Sequence, residues 1–212
     1  MIKVYKRPDE PSTLATRGYK DDEVKMAILE DQHDKCYLCE RKMSTDYQVE
    51  HVVSQSGDEK KINEWGNLFM SCNYCNDRKK HLFDDIPLPN SLCFEELIDQ
   101  QYDAVKAKVN FVTASKDASL LNLIKLLDRL YNGKEPKLGR NLMEKRFWTE
   151  FVSSYVGFMR RVTEYVSNPS EENRQKVIDD LKIESTILGF KYSYIKSDPD
   201  LREEFKEQLK WN

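Results

Sequence analysis

The stretch that decides the fold extends from Cys36 to Lys79 and reads CYLCERKMSTDYQVEHVVSQSGDEKKINEWGNLFMSCNYCNDRK. It contains two Cys-x-x-Cys pairs, Cys36 with Cys39 and Cys72 with Cys75. Each pair can form a tight turn, and both sulfurs of a turn can reach one metal ion. Zn²⁺ prefers thiolate ligands and has no redox chemistry. The spacing therefore predicts a structural zinc site, the alternative being four unrelated buried cysteines.

A second chemistry lies between and just after these pairs, in Glu50, His51 and Asn76. An imidazole can take a proton from water near neutral pH. Carboxylate and amide oxygens suit Mg²⁺ or Mn²⁺. We therefore expect phosphodiester hydrolysis, with a divalent ion held by Glu50 and Asn76 and water activated by His51. Neighbouring residues of a regular strand point to opposite faces, so one site needs a bulge or a strand end at this position.

These motifs together resemble the HNH endonuclease family in its zinc-stapled form, on the strength of Cys36-x-x-Cys39, Glu50-His51, Gly66-Asn67-Leu68 and Cys72-x-x-Cys75-Asn76-x-x-Lys79. The resemblance implies a ββα-metal fold. It implies that His51 is the general base and that Glu50 and Asn76 are the metal ligands. It also implies that Asn67 holds the loop between the strands, a role close to that of an ordinary turn asparagine. Ser54 stands where many members of the family have proline.

A run of three basic residues follows Asn76: Arg78, Lys79 and Lys80. Lys79 matches the basic residue that the family places one helical turn after its last ligand, where it can meet a phosphate. We expect all three residues to bind substrate. The alternative is a solvated helix face, as for most charge runs.

The organisation along the chain predicts an α+β protein in two parts. Residues 1–92 form an N-terminal arm plus the HNH module, with a helix over 21–34, a strand over 47–53, a polar loop over 54–63 and a helix over 73–82. Residues 93–212 read as α-helical throughout, because apolar residues recur at helical spacing. The helices expected there cover 94–109, 119–131 and 138–166, with one after Ser170 and one over 201–211.

The charge balance says something about how nucleic acid is held. Residues 1–92 carry 14 Lys and Arg against 17 Asp and Glu, and residues 93–212 carry 20 against 20. Proteins that hold nucleic acid unaided usually show a basic excess, because phosphate contacts supply much of the affinity. Residues 134–161, with seven Lys and Arg against three Glu, could be a nucleic-acid path or a solvated helix face. Either a local basic patch suffices, or a partner supplies the grip.

The length and layout are similar to those of the small HNH effectors of anti-phage defence, the PtuB-type proteins of Septu and related retron systems. That resemblance implies an ABC-type ATPase (PtuA-like) as partner, docked on the helical part. No apolar run suited to a membrane span and no signal-peptide pattern is present, so we expect a cytoplasmic protein. Two alternatives stay open: a non-catalytic zinc module that binds nucleic acid or protein, and a stand-alone restriction or homing nuclease.

Overall fold

The computed structural model describes residues 1–54, 61–135 and 139–209. In the first part of the chain, the helices and strands are α1 (Leu14–Arg17), α2 (Asp22–Asp31), β1 (Tyr47–His51), β2 (Leu68–Cys72) and α3 (Asn73–Lys79). Strands β1 and β2 pair antiparallel, with Tyr47 opposite Cys72 and His51 opposite Leu68. Helix α3 starts directly after β2, so the expected ββα order is confirmed. Residues 55–60 of the expected polar loop lie outside the described residues.

The second part contains α4 (Phe94–Leu97), β3 (Asp99–Asp103), β4 (Lys108–Val112), α5 (Ala118–Asn132), α6 (Leu142–Ser167), α7 (Glu171–Asp180), α8 (Leu188–Ser197) and α9 (Pro199–Glu204). The predicted α+β class, a ββα module followed by a mainly helical region, is confirmed. None of the described helices combines the length and apolar character needed to cross a membrane.

The prediction of one helix over 94–109 was wrong, because β3 and β4 form an antiparallel hairpin there. Ile98, Gln100 and Tyr102 alternate along the chain toward the protein interior, which is the period of a strand. Gln100 hid this alternation: it is polar, yet only 1% exposed. Its backbone N–H donates to Ser193 Oγ at 2.9 Å, and its side-chain amide donates to the Met1 carbonyl at 2.8 Å. Val105, expected on an apolar helix stripe, is 96% exposed.

Side-chain caps explain where most of the remaining helices begin. Asp21, Asp117, Asn141 and Ser170 each accept a hydrogen bond from a backbone N–H in the first turn of α2, α5, α6 and α7. Helix α8 lacks such a signal, because its first flanking residue is Ile187 in a left-handed conformation with φ 49°. The sequence analysis therefore missed it. Residues 138, 210 and 211 of the predicted helices lie outside the described residues.

One hydrophobic core crosses residue 92, the boundary expected between the two parts. It contains Leu38 and Phe69 of the first part together with Leu127, Phe147 and Phe190 of the second. A smaller cluster joins α6, α7, α8 and α9 around Phe158, Val177, Tyr192 and Phe205. The module and the helical region therefore share a core, and their separate roles stay a prediction.

Gly189 offers a test of this shared packing. A Cβ built at this position would lie 2.0 Å from Nε2 of Gln100, whose amide is fixed by its bond to the Met1 carbonyl. The Gly189 N–H also donates to Glu40 Oε2 of the first Cys-x-x-Cys turn at 2.9 Å. We expect Gly189→Ala to lower the free energy of unfolding by about 1–3 kcal/mol, as overpacking does. Urea unfolding of the wild type and of Gly189→Ala measures this change in free energy. Gly66→Ala is the control, since a Cβ there meets nothing within 4 Å; equal effects would contradict the packing argument.

Candidate metal centre and active site

The four cysteines of the two Cys-x-x-Cys pairs converge. Cys36, Cys39, Cys72 and Cys75 are all buried, and their Sγ atoms all lie within 4.8 Å of one another. Cys39 Sγ and Cys72 Sγ are 3.9 Å apart. A tetrahedral Zn²⁺ with Zn–S bonds of about 2.3 Å requires sulfurs about 3.8 Å apart. The donor set and its spacing therefore fit zinc.

Electrostatics around the sulfurs favour a bound cation. Burial raises the pKa of the Cys39 and Cys75 thiols. Hydrogen bonds from Cys36 and the other thiols lower the pKa of Cys72 instead. These directions favour a thiolate at Cys72, and a bound zinc ion would hold all four sulfurs as thiolates. Burial alone would lower the pKa of Arg41, yet the charges of Cys72, Cys39 and nearby carboxylates raise it. Arg41 therefore stays positively charged, and its charge lies near the sulfurs of Cys39 and Cys72.

Glu50 contacts α3 rather than solvent. It is 7% exposed, and its Oε1 lies 2.9 Å from Nζ of Lys79, the last residue of α3. Its Oε2 is buried and has no hydrogen-bond partner among the described residues. The Tyr37 hydroxyl shares this interior: burial and the charge of Glu50 raise the pKa of Tyr37. Glu50 therefore has Oε1 in an ion pair with Lys79, and its carboxylate also interacts with the buried Tyr37 hydroxyl.

Asn76 lies on the same side of the hairpin as Glu50. Its Nδ2 donates to Oε1 of Gln48 at 2.9 Å, and Gln48 precedes Glu50 by two residues on β1. Residues two apart on a strand share a face. Asn76 and Lys79 likewise share a face of α3, because they are three residues apart. The structure thus brings Glu50 and Asn76 to one side, with Nδ2 of Asn76 bonded to Gln48 and its Oδ1 outside that bond.

His51 has different neighbours. Its Nε2 lies 2.8 Å from the carbonyl oxygen of Ile62, and its ring packs edge-on against Tyr19 with centroids 5.0 Å apart. The β1–β2 ladder is regular through the pair His51 and Leu68, so no bulge separates Glu50 from His51. His51 is, however, the last residue of β1. The sequence analysis required either a bulge or a strand end for Glu50 and His51 to share a site. The structure shows the strand end.

Asn67 holds the chain that leaves β1. Its Oδ1 accepts from the Val53 N–H at 2.8 Å, and its Nδ2 donates to the Val53 carbonyl at 2.9 Å. The Asn67 carbonyl accepts from the Val52 N–H at 3.1 Å. Asn67 is 3% exposed and lies just before β2. Its contacts fix the backbone that follows His51 and involve no metal ligand.

The basic run on α3 divides into three different positions. Arg78 is buried against the helical region: its guanidinium stacks on the Tyr74 ring at 3.7 Å and lies 3.6 Å from Oε1 of Glu144. It follows Asn76 by two residues and so lies on another face of α3, and the substrate contact expected for it stays a prediction. Lys79 is 1% exposed, so its ammonium cannot touch a phosphate in this conformation. Lys80 is exposed and pairs only with Asp77 among the described residues, at 3.4 Å.

An aromatic cage around Lys6 escaped the sequence analysis. Its Nζ lies 3.8 Å from the ring centroid of Trp65 and 4.3 Å from that of Phe69, and it donates to the carbonyl of Leu68. Leu68 is the residue opposite His51 in the hairpin. The N-terminal arm therefore braces the strand behind His51. In the sequence, Lys6 stands in the stretch Lys6-Arg7-Pro8, and nothing in this stretch indicates a buried lysine.

These features define a zinc-stapled ββα module with an acid, an imidazole and an amide grouped around one hairpin and its helix. Residues 36–82 match the family model described as HNH endonuclease. This match spans both cysteine pairs, the hairpin and α3, and it supports the HNH family for this part of the chain. No curated protein and no solved structure matched the chain.

The zinc site leads to the first test at this site. We expect Cys36→Ser and Cys75→Ser to lose zinc and to unfold the module, because metal binding here contributes directly to folding. Zinc content by atomic absorption and folding by circular dichroism are the measurements. Cys93→Ser is the control, since Cys93 is outside the four-sulfur cluster. A folded, zinc-free Cys36→Ser protein would contradict the assignment.

The Lys6 cage leads to a test of pH dependence. Burial lowers the pKa of Lys6 to about 7. Between about pH 7 and 10, Lys6 is protonated in the unfolded chain but largely deprotonated in the folded protein. Folding therefore releases a proton, and rising pH favours the folded state. We expect the free energy of unfolding of the wild type to rise relative to Lys6→Met over this range, by up to about 1.4 kcal/mol per pH unit. Urea unfolding at several pH values measures this, and parallel profiles for the two proteins would refute it.

Proposed function

We propose that this protein is a metal-dependent HNH-type endonuclease that hydrolyses phosphodiester bonds of nucleic acid. The observation that carries the proposal is the setting of His51. It ends β1, its ring is held by the Ile62 carbonyl, and it lies within the stretch that matches the HNH endonuclease family. The exposed Lys80 is the residue proposed for contact with substrate phosphate.

The contact with Ile62 supports a distinct role for each ring nitrogen of His51. A carbonyl oxygen can only accept a hydrogen bond, so the shared proton belongs to Nε2. Nδ1 is then the nitrogen that takes a proton from the attacking water. The imidazolium formed in this way keeps its bond to the Ile62 carbonyl, which stabilises the positive charge. Tyr19 and the Val53 contacts of Asn67 limit movement of the ring and of the chain behind it.

Glu50 and Asn76 are the proposed ligands of a catalytic Mg²⁺ or Mn²⁺. Their donors are oxygens, which these ions prefer. The burial of the Glu50 carboxylate supports a cation here, since its Oε2 makes no close hydrogen bond and has the Tyr37 hydroxyl as a neighbour. When bound, such an ion polarises the phosphate and stabilises the leaving oxygen. The protein's part is to place two oxygen ligands on rigid elements, β1 and α3, next to the strand end that carries His51.

We further propose that the nuclease acts in anti-phage defence with an ABC-type ATPase of the PtuA kind, docked on the helical region. The net charge of −3 supports a partner that helps to hold nucleic acid. Two cations of residues 134–161 are paired, Arg161 with Asp180 and Arg160 with Glu164 at 3.7 Å, which lowers the free positive charge of this stretch. Copurification with the ATPase, and cleavage with and without it, test this part of the proposal.

The decisive variant is His51→Ala. We expect cleavage to fall by about 10²- to 10⁴-fold while the fold stays intact, because general-base catalysis contributes about that much. The assay uses zinc-loaded protein with Mg²⁺ or Mn²⁺, with and without the ATPase, on plasmid, single-stranded DNA and tRNA. These substrates also decide between DNA and RNA.

The matched control is His81→Ala, which removes an exposed imidazole beyond α3 and should leave cleavage unchanged. Cleavage by purified His51→Ala at the wild-type rate would overturn the role of His51. If the wild type cleaves none of the substrates under any of these conditions, the alternative of a non-catalytic zinc module is favoured.

A further inference from the structure

We infer that the Lys79 ammonium is an internal cation that competes with the divalent metal ion for Glu50. In this arrangement Lys79 neutralises the Glu50 carboxylate while no metal is bound. When a metal ion binds Glu50, it displaces the Lys79 ammonium. The displaced ammonium is then available to a substrate phosphate. The inference rests on the proposed function, because it concerns the metal site of that reaction.

The position of Lys79 is unusual for a lysine. Only 1% of the residue is exposed, and its Nζ lies 2.9 Å from Oε1 of Glu50 and 4.0 Å from Oδ1 of Asp84. Lysine is almost never fully buried unless it is paired. Glu50 is the partner that makes this burial possible. The pair therefore occupies the very carboxylate on which the metal site depends.

The ion pair leaves the oxygens around it only partly satisfied. Glu50 Oε2 and Asp84 Oδ1 are both buried and make no close hydrogen bond among the described residues, with the Tyr37 hydroxyl beside Glu50 and the Lys79 ammonium 4.0 Å from Asp84 Oδ1. Buried polar atoms usually have a hydrogen-bond partner. A divalent ion, which takes six or more oxygen ligands including water, would satisfy these carboxylate oxygens more completely than one ammonium does.

Charge makes the two cations alternatives rather than neighbours. Glu50 and Asp84 together supply two negative charges, which one ammonium only half neutralises. A divalent ion bound to Glu50 would complete the neutralisation, but it would lie within a few ångströms of the ammonium if Lys79 stayed. Like charges repel strongly at such distances in a protein interior. Binding of the metal therefore favours departure of Lys79.

The end of α3 gives Lys79 a route out. Lys79 is the last residue of the helix, and Lys80 follows with a positive φ of 45°. A helix end is the part of a helix that changes conformation most readily. Lysine also has a flexible four-carbon stem that can carry its charge several ångströms. This movement reconciles the phosphate contact expected from the sequence with the burial in the structure.

The first experiment uses the unmodified protein. Zinc-loaded wild type is treated briefly with an amine-acetylating reagent, with and without Mn²⁺, and labelling of each lysine is measured by mass spectrometry. We expect Mn²⁺ to raise the labelling rate of Lys79 by about tenfold or more, a usual size for coupling between two binding events. Lys191 is the internal control: it is 2% exposed, and its Nζ lies 2.8 Å from Oδ1 of Asp180, far along the chain from Glu50.

The second experiment compares Lys79→Met with Lys191→Met. Each substitution removes a buried lysine from a carboxylate, so each should lower the melting temperature. Only in Lys79→Met should Mn²⁺ restore it, because the ion replaces the missing charge at Glu50. Mn²⁺ binding measured by electron paramagnetic resonance should be about tenfold tighter in Lys79→Met than in the wild type. Adding Glu50→Gln to Lys79→Met should abolish the rescue.

The outcomes separate this inference from the proposed function. If Mn²⁺ binds the wild type and supports cleavage, yet Lys79 stays protected and Lys79→Met binds Mn²⁺ no more tightly, the competition is wrong and the nuclease stands. If Mn²⁺ binds neither protein, Glu50 is no metal ligand and both proposals fall. If Lys79→Met does not fold, the labelling result on the wild type decides alone.

Discussion

The convergence of four sulfurs is the constraint on which the rest of the module depends. The first Cys-x-x-Cys turn lies before β1, and the second joins β2 to α3, so one metal centre fixes the hairpin and the helix relative to each other. Asn76 follows the last sulfur directly and cannot be placed independently of it. The reactive groups themselves contribute little to this arrangement. A zinc ion bound there would add folding free energy to that of the core which the module shares with the helical region.

Backbone groups, more than side-chain networks, orient the candidate catalytic residues. His51 is held by the Ile62 carbonyl, and Asn67 holds both polar groups of Val53. Such contacts depend on the path of the loop rather than on the identity of its side chains. They therefore tolerate sequence change around the site, including serine at position 54. Glu50 and Asn76 are the exceptions, since their partners, Lys79 and Gln48, are side chains that can move.

The sequence predicted those parts of the protein that spacing determines. The cysteine pairs, the strand with Glu50 and His51, and the capped helices all follow from local patterns. Burial of single polar residues does not. Gln100 made a hairpin resemble a helix, Ile187 started α8 without a cap, and Lys79 is paired inside although its position in the motif indicates a surface contact. For Gln100 and Lys79 a partner distant in sequence decides the outcome, namely the Met1 carbonyl and the Glu50 carboxylate.

The stacking of Tyr74 on Phe147 has a mechanical consequence. These rings lie 4.3 Å apart and nearly parallel, and the Tyr74 hydroxyl donates to the Leu130 carbonyl at 2.6 Å. Tyr74 belongs to α3, whereas Phe147 belongs to the long helix α6 and Leu130 to α5. Close-packed interiors transmit displacement instead of absorbing it. Because α6 packs directly on α3, a displacement of this 26-residue helix would also displace α3, which carries Asn76 and Lys79.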